Sequence, residues 1–323
     1  MRYLLALCLL AIPASAVAAQ RVEIPIEQVL SPTGRIAYTV TIGVGASPVV
    51  QAALDTGSTG LRLLPGAVGP NDVHASDEPS TYSYASGSKF LGTIGHASVS
   101  VGGLGTDGPI AVDLISAITC RDDYPGCPAS RTDIASFGFN GDGVPGKGFK
   151  AIMGVDLRHA DADNPLAEIG DGVWIVELPR PGDTSPGKLI LNPAPDELAG
   201  FTRFHPAPQR TTIPGCLLDT DNSAKVCGEV LLDSGQPGLF VSGRMAPGSF
   251  PWPDGAHALL VMEDDRGAKI GAGLTINNAP GSPTALYYRR GPLPIDRIAS
   301  RTPFFAYAVL FDSKAHEIGL KAR

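Results

Sequence analysis

One twelve-residue pattern occurs twice in this chain, and it constrains the fold more than any other feature. The first copy reads ALDTGSTGLRLL at 53–64, and the second reads LLDSGQPGLFVS at 231–242. In both copies apolar residues lead to an aspartate, small residues form a turn, and an apolar segment resumes. Asp55 aligns with Asp233, 178 residues further along the chain. Two copies in register, with matching apolar flanks, predict a duplicated scaffold rather than a chance match.

The rest of the chain has the pattern of a β protein. The 323 residues include 39 glycines and 29 prolines, and the helical patterns are short. Segment 80–103 alternates apolar and polar residues on both sides of a Gly-Ser tip, which is typical of a β-hairpin. The sequence therefore predicts an all-β fold.

The duplication suggests a chemistry for the two aspartates. If the halves fold alike and meet, Asp55 and Asp233 come together in a partly dry crevice. Two adjacent carboxyl groups cannot both ionise cheaply, so they share one proton. One then acts as a base toward a water molecule, and the other acts as an acid toward a carbonyl oxygen. Such a pair can hydrolyse a peptide bond without a covalent intermediate.

The residues after each aspartate suit this role. Gly57 and Gly235 allow unusual backbone angles and a close approach. Thr56 and Ser234 carry hydroxyls that could brace the turns by hydrogen bonds, and Ser58 could bond to the outer oxygen of the first aspartate.

These motifs resemble those of the bilobal, pepsin-like aspartic proteases over most of the chain. The likeness includes both aspartate loops, the run FKAIMG, the hairpin TYSYASGSKFLGTIGHASVSVGG and the segment PFFAYAVLFDSKAHEIGLKA. It implies an all-β, bilobal double β-barrel with pseudo-two-fold symmetry and a central active-site cleft. We expect an N-terminal lobe at 20–182 and a C-terminal lobe at 183–323.

The resemblance also implies roles for single residues. Asp55 and Asp233 would be the catalytic pair that activates water. Tyr84 would close over a bound peptide from the hairpin, and Gly87 and Ser88 would contact the substrate. The expected protein is an exported bacterial aspartic endopeptidase with an acidic pH optimum. It would act on a peptide or protein substrate, without a cofactor, as a monomer with two half-sites in one polypeptide.

Two departures from the family pattern leave a second function open. Gln236 stands where the family usually has Ser or Thr, and Arg62 stands where it usually has Trp. The alternative is a catalytically weak or inactive pepsin-fold protein that binds a peptide, a glycan or a protein partner.

The N-terminal segment and the cysteines indicate an exported protein. Residues 1–19 combine a positive start, an apolar run and small residues, as in a secretory signal peptide. We therefore expect a periplasmic or extracellular protein without a membrane span. The four cysteines after this segment allow three disulfide pairings, of which nearest neighbours are favoured; a zinc site is the alternative, although the spacings do not resemble C-x₂-C. The four are Cys120, Cys127, Cys216 and Cys227.

Charge and histidine spacing argue against other partners. The formal net charge is −7, so no basic surface favours nucleic acid. The six histidines show no metal-ligand spacing, and we expect no metal site.

Overall fold

The structure is a computed structural model that describes residues 19–47, 50–207, 209, 211–243, 251–290 and 296–323. The predicted signal segment, apart from its last residue, lies outside these residues. The fold is all-β, with 48% strand and 3% helix, as the sequence predicts. The strands form two sheets of fifteen and seven strands.

The large sheet contains the described strands of the first 204 residues and the last two strands of the described chain. Its strands are β1 Val22–Leu30, β2 Ile36–Val44, β3 Val50–Asp55, β4 Thr59–Leu63, β5 His74–Ser83, β6 Ser88–Ala97, β7 Val99–Val101, β8 Leu104–Gly105, β9 Ile110–Cys120, β10 Ala151–Val155, β11 Val173–Glu177, β12 Gly187–Leu191 and β13 Thr202–Phe204, followed at the end of the chain by β21 Tyr307–Asp312 and β22 Glu317–Ala322.

The small sheet contains the strands that flank the second copy of the duplicated pattern. Its strands are β14 Ile213–Asp219, β15 Lys225–Leu232, β16 Leu239–Gly243, β17 His257–Glu263, β18 Lys269–Thr275, β19 Leu286–Arg290 and β20 Asp296–Ser300. In the described part of the chain, the helical elements are a 3₁₀ turn at Pro128–Arg131 and α1 at Pro303–Ala306. No helix among the described residues is long and apolar enough to cross a bilayer.

The duplicated sequence is matched by a duplicated strand arrangement. In the large sheet the neighbours run β2-β3-β10-β4-β9, and in the small sheet they run β14-β15-β20-β16-β19. Successive pairs in both rows are antiparallel, parallel, antiparallel and parallel. Each aspartate lies at the end of the second strand of its row, because β3 ends at Asp55 and Asp233 follows β15. The same local sequence has therefore produced the same local fold twice.

A continuous hydrophobic core joins the two sheets. Trp174 and Phe311 stack in the large sheet at 5.6 Å between ring centroids, and both belong to the same buried cluster as Leu217 and Leu260 of the small sheet. Burial of large apolar side chains is the main source of folding free energy. The aspartate turns therefore lie on a rigid, densely packed base.

The structure contains both disulfides that the sequence pairing favoured. Cys120 bonds to Cys127, just after β9, and Cys216 bonds to Cys227 across the β14–β15 hairpin. Disulfides form and persist in oxidising compartments, so both bonds are compatible with an exported protein.

Candidate active site

Asp55 is held in the first turn by hydrogen bonds that favour its ionised form. The backbone N–H of Gly57 donates to Oδ1 at 2.9 Å, and the hydroxyl of Ser58 donates to Oδ2 at 2.5 Å. The residue is only 5% exposed. Hydrogen bonds to the charged form of a carboxyl group stabilise that form.

Asp233 lies in the second turn and is more exposed than Asp55. Its backbone N–H donates to the carbonyl of Ser300 at 3.0 Å, which ties the turn to β20. The side chain is partly exposed, although Oδ1 is buried and accepts no hydrogen bond from the described residues. A buried carboxyl oxygen without a donor is costly, and protonation of the group relieves that cost.

The two carboxyl groups meet across the glycines of the opposite turns. A Cβ added to Gly57 would lie 2.6 Å from both carboxyl oxygens of Asp233. A Cβ added to Gly235 would lie 2.8 Å from Oδ1 of Asp55. Each carboxyl group therefore occupies the space that a side chain on the other turn would need. Only glycine at both positions permits this approach.

Thr56 and Ser234 join the two turns by four reciprocal hydrogen bonds. The Thr56 hydroxyl donates to the carbonyl of Leu232 at 2.7 Å and accepts from the N–H of Ser234 at 2.9 Å. The Ser234 hydroxyl donates to the carbonyl of Leu54 at 2.8 Å and accepts from the N–H of Thr56 at 2.9 Å. Because both hydroxyls are buried, water does not compete for these bonds. The brace fixes the distance between the two aspartates.

The environment raises the pKa of both carboxyl groups, and that of Asp233 further. Burial raises the pKa of Asp55, while the hydrogen bonds from Ser58 and Gly57 oppose this effect. Burial also raises the pKa of Asp233, and the negative charge of Asp55 raises it again, against the positive charge of Arg301. Of the two carboxyl groups, Asp233 therefore has the stronger tendency to stay protonated.

Arg62 forms a buried ion pair beside the site. Its Nε lies 3.0 Å from a carboxyl oxygen of Asp113, with side-chain exposures of 1% and 5%. The two residues are direct neighbours in the parallel β4–β9 pairing, which explains the contact. The guanidinium carbon lies 3.5 Å from the ring centroid of Tyr82, and Nη1 donates to the hydroxyl of Tyr84 at 3.4 Å.

Tyr84 lies at the end of the β5–β6 hairpin, against the first aspartate turn. Its ring contacts Phe90 and Phe139 edge-on, at centroid distances of 5.5 and 6.2 Å. Burial raises its pKa; Arg62 opposes that rise, and the charge of Asp55 adds to it. The predicted hairpin residue therefore does come close to the aspartate pair.

Gly87 and Ser88, the other predicted hairpin residues, contact the disulfide loop. Gly87 has a φ of +88° and lies against the ring of Tyr124. The buried hydroxyl of Ser88 donates to Sγ of Cys127 at 3.7 Å. In this conformation both residues contact the disulfide loop rather than the open side of the turns.

Two arginines lie near the pair although no sequence motif predicts them there. Arg158 donates from Nη2 to the carbonyl of Gly57 at 2.9 Å and from Nε to Asp156 at 2.6 Å. Arg301 is 1% exposed; it donates to the carbonyl of Ile36 at 2.7 Å and also to the carbonyl of Gln236. The positive charge of Arg301 limits the rise in the pKa of Asp233, and that of Arg62 limits the rise in the pKa of Asp55.

Gln236 contributes to the second turn through its backbone. Its N–H donates to the carbonyl of Asp233 at 3.3 Å, and its own carbonyl accepts the bond from Arg301. The side chain is 8% exposed. The backbone of Gln236 thus links Asp233 to a buried cation.

Comparisons with known proteins give no family for this chain. A scan against protein-family models finds no match, and a search of the curated proteins finds none either. The function is therefore inferred from the residues of the site and from their geometry.

Proposed function

We propose that this chain is an aspartic endopeptidase of the bilobal, pepsin-like kind, with Asp55 and Asp233 as its catalytic pair. The observation that carries the proposal is the contact of each aspartate with the glycine of the opposite turn. The pseudo-symmetric strand rows support a bilobal arrangement with a cleft between them. The boundary between the two lobes, predicted between residues 182 and 183, is part of this proposal.

The proposed mechanism follows from the different environments of the two carboxyl groups. Ionised Asp55 takes a proton from a water molecule as its oxygen attacks the carbonyl carbon of the substrate. Protonated Asp233 gives its proton to the carbonyl oxygen, which forms a neutral tetrahedral gem-diol. Collapse of this intermediate breaks the C–N bond, and the leaving nitrogen takes the proton that Asp55 received. One hydroxyl proton of the gem-diol returns to the pair, which restores the starting state.

The test is cleavage of an unfolded protein between pH 3 and pH 7, with the mature chain and with Asp55→Asn and Asp233→Asn. Removal of an essential acid or base is expected to lower the rate by at least about a hundredfold. Thr39→Ser, a change in a buried residue of β2, serves as the control for handling and purity. Equal cleavage by the wild type and by both Asn variants would assign the activity to a contaminant.

The second candidate is a protein that binds peptides and cleaves them poorly. The observation that favours it is the bond from Arg62 to the Tyr84 hydroxyl, because it engages the hairpin tyrosine in a contact with a buried cation. No cleavage across this pH range by a folded chain that still binds peptides would favour this candidate.

A further inference from the structure

The tip of the β5–β6 hairpin is a tight turn next to Tyr84. The N–H of Gly87 donates to the carbonyl of Tyr84 at 3.0 Å, and the N–H of Tyr84 donates to the carbonyl of Ser88 at 3.1 Å. Ala85, the residue after Tyr84, is exposed and directs its carbonyl out of the turn. The position of this tip sets that of Tyr84, whose hydroxyl is joined through Arg62 to the carbonyl of Gly60 beside the first aspartate turn.

The large sheet holds the tip from one side through the disulfide loop 120–127. The N–H of Arg121 donates to the carbonyl of Gly87 at 2.9 Å. The ring of Tyr124 packs against Gly87, where a side chain would clash. Because Cys120 and Cys127 close this loop, it forms a stiff support for one side of the hairpin.

Among the described residues, Arg289 of β19 connects the small sheet to the tip. Its Nη1 donates to the carbonyl of Ala85 at 3.2 Å, and its Nη2 donates to Oδ2 of Asp123 at 3.0 Å. Its guanidinium carbon also lies 5.0 Å from the ring centroid of Tyr124. One side chain thus joins the second half of the chain to both the hairpin tip and the loop behind it.

The strand arrangement places this bridge at equivalent positions of the two matching rows. β9, which leads into the loop 120–127, and β19, which carries Arg289, are the fifth strands of the two rows. The aspartates lie at the ends of the second strands. A bridge between the two fifth strands therefore ties both rows to the hairpin that carries Tyr84.

We propose that Arg289 is a positioning residue that holds the β5–β6 hairpin closed over the aspartate pair, and that this bridge opens to admit a substrate. The inference rests on the proposed function only because it names a substrate as the molecule that reaches the aspartate pair. The bridge itself is a property of the hairpin, which can be measured without any cleavage.

The strength of the bridge suits a contact that opens readily. Arg289 is 23% exposed and Asp123 is 57% exposed, and exposed pairs of this kind contribute modestly because water and salt screen them. The bridge combines this pair with a hydrogen bond to the Ala85 carbonyl, and its loss should therefore raise the open population of the hairpin by about three- to tenfold. Salt should have the same effect in the wild type.

The test compares Arg289→Met with Arg266→Met, a control that removes an exposed arginine from the β17–β18 turn. Hydrogen exchange is measured at the amide of Arg121, whose acceptor is the carbonyl of Gly87. The amide of Leu64, which bonds to the carbonyl of Lys150, is the internal reference. We expect three- to tenfold faster exchange at Arg121 in Arg289→Met alone, and an intermediate rate in Arg289→Lys. In Arg289→Met, salt should no longer accelerate that exchange.

Access to the aspartates is measured separately with a small aryl epoxide. The ionised carboxylate oxygen attacks an epoxide carbon, the C–O bond of the ring breaks, and the new alkoxide takes a proton from water. Peptide mapping then gives the rate of ester formation at Asp55 and Asp233. We expect this rate to rise several-fold in Arg289→Met and to stay at the wild-type level in Arg266→Met.

The outcomes separate this inference from the proposed function. Unchanged exchange at Arg121 in Arg289→Met would overturn the bridge, whether or not the chain cleaves peptides. Faster exchange with unchanged alkylation would overturn the link between the bridge and access. Faster exchange and faster alkylation without cleavage in any variant would support the bridge and overturn the endopeptidase.

Discussion

Thr56 and Ser234 each use one hydroxyl both to donate to and to accept from the backbone of the other's turn, at 2.7 to 2.9 Å. The pairing is reciprocal because the two turns are copies of each other. It holds the two turns, and the carboxyl group that each turn carries, in a fixed relative position.

Removal of one hydroxyl from this brace should destabilise the whole fold. Thr56→Val leaves the carbonyl of Leu232 and the N–H of Ser234 buried without a partner. Each unsatisfied group costs roughly 1–3 kcal/mol, so we expect a loss of about 2–4 kcal/mol in the free energy of unfolding. Thr56→Ser keeps the hydroxyl and should lose much less. Urea unfolding monitored by tryptophan fluorescence measures both variants.

Asp233→Asn should stabilise the protein at neutral pH while it abolishes the proposed catalysis. Burial and the charge of Asp55 raise the pKa of Asp233 in the folded state. Between the unfolded pKa and this higher folded pKa the folded state binds more protons, so stability falls as the pH rises. Asparagine does not titrate, and the variant should melt about 2 °C or more above the wild type at pH 7. The difference should shrink below pH 4, and an equal shift at both pH values would contradict this account.

Arg301→Met should move the pH dependence of the site upward. The positive charge of Arg301 lowers the pKa of Asp233, and its removal allows that pKa to rise. The high-pH limb of the rate profile should then shift to higher pH, because the pair keeps its proton longer. Arg301→Lys retains the charge but loses one of the two bonds to backbone carbonyls. It should lower stability without an equal shift of the profile.

Arg62→Met should be among the most destabilising single changes in the chain. It leaves the buried carboxylate of Asp113 without its partner, which typically costs 3–5 kcal/mol. The double variant Arg62→Met with Asp113→Leu removes both charges and should recover much of that loss. A double variant no more stable than the single one would show that packing against Tyr82, rather than charge, dominates at Arg62.

The two disulfides should have similar effects on stability and different effects on the hairpin. They join residues 7 and 11 apart, and loops of this size contribute about 2–3 kcal/mol each. Paired Ser variants at Cys120 and Cys127 should also speed exchange at the Arg121 amide. The matched variants at Cys216 and Cys227 should leave that amide unchanged.

The turns were predictable from sequence because their determinants are local. The aspartate, the hydroxyl residue and the glycine that form each turn are adjacent, so the repeat at Asp55 and Asp233 is visible without knowledge of the fold. The all-β class and both disulfide pairings followed in the same way from turn residues and short spacings.

The contacts of the cationic side chains were not predictable by the same reasoning, because their partners are distant in sequence. Arg62 meets Asp113 only through the parallel pairing of β4 with β9, and Arg289 meets Asp123 only across the two sheets. Arg301 directly follows β20, the counterpart of β10, but Gly154 is the residue that pairs with Asp55 in the first row, so the repeat gives no signal for the arginine.

The position of β21 has a consequence for how the molecule is made. This strand pairs with β11 in the large sheet, although more than 120 residues separate them in the sequence. A nascent chain that has emerged as far as β20 already contains both aspartates, but its β11 still has an open edge. We expect the final packing to wait for translation of β21 and β22, so that the proposed hydrolytic activity can arise only once these strands have been made.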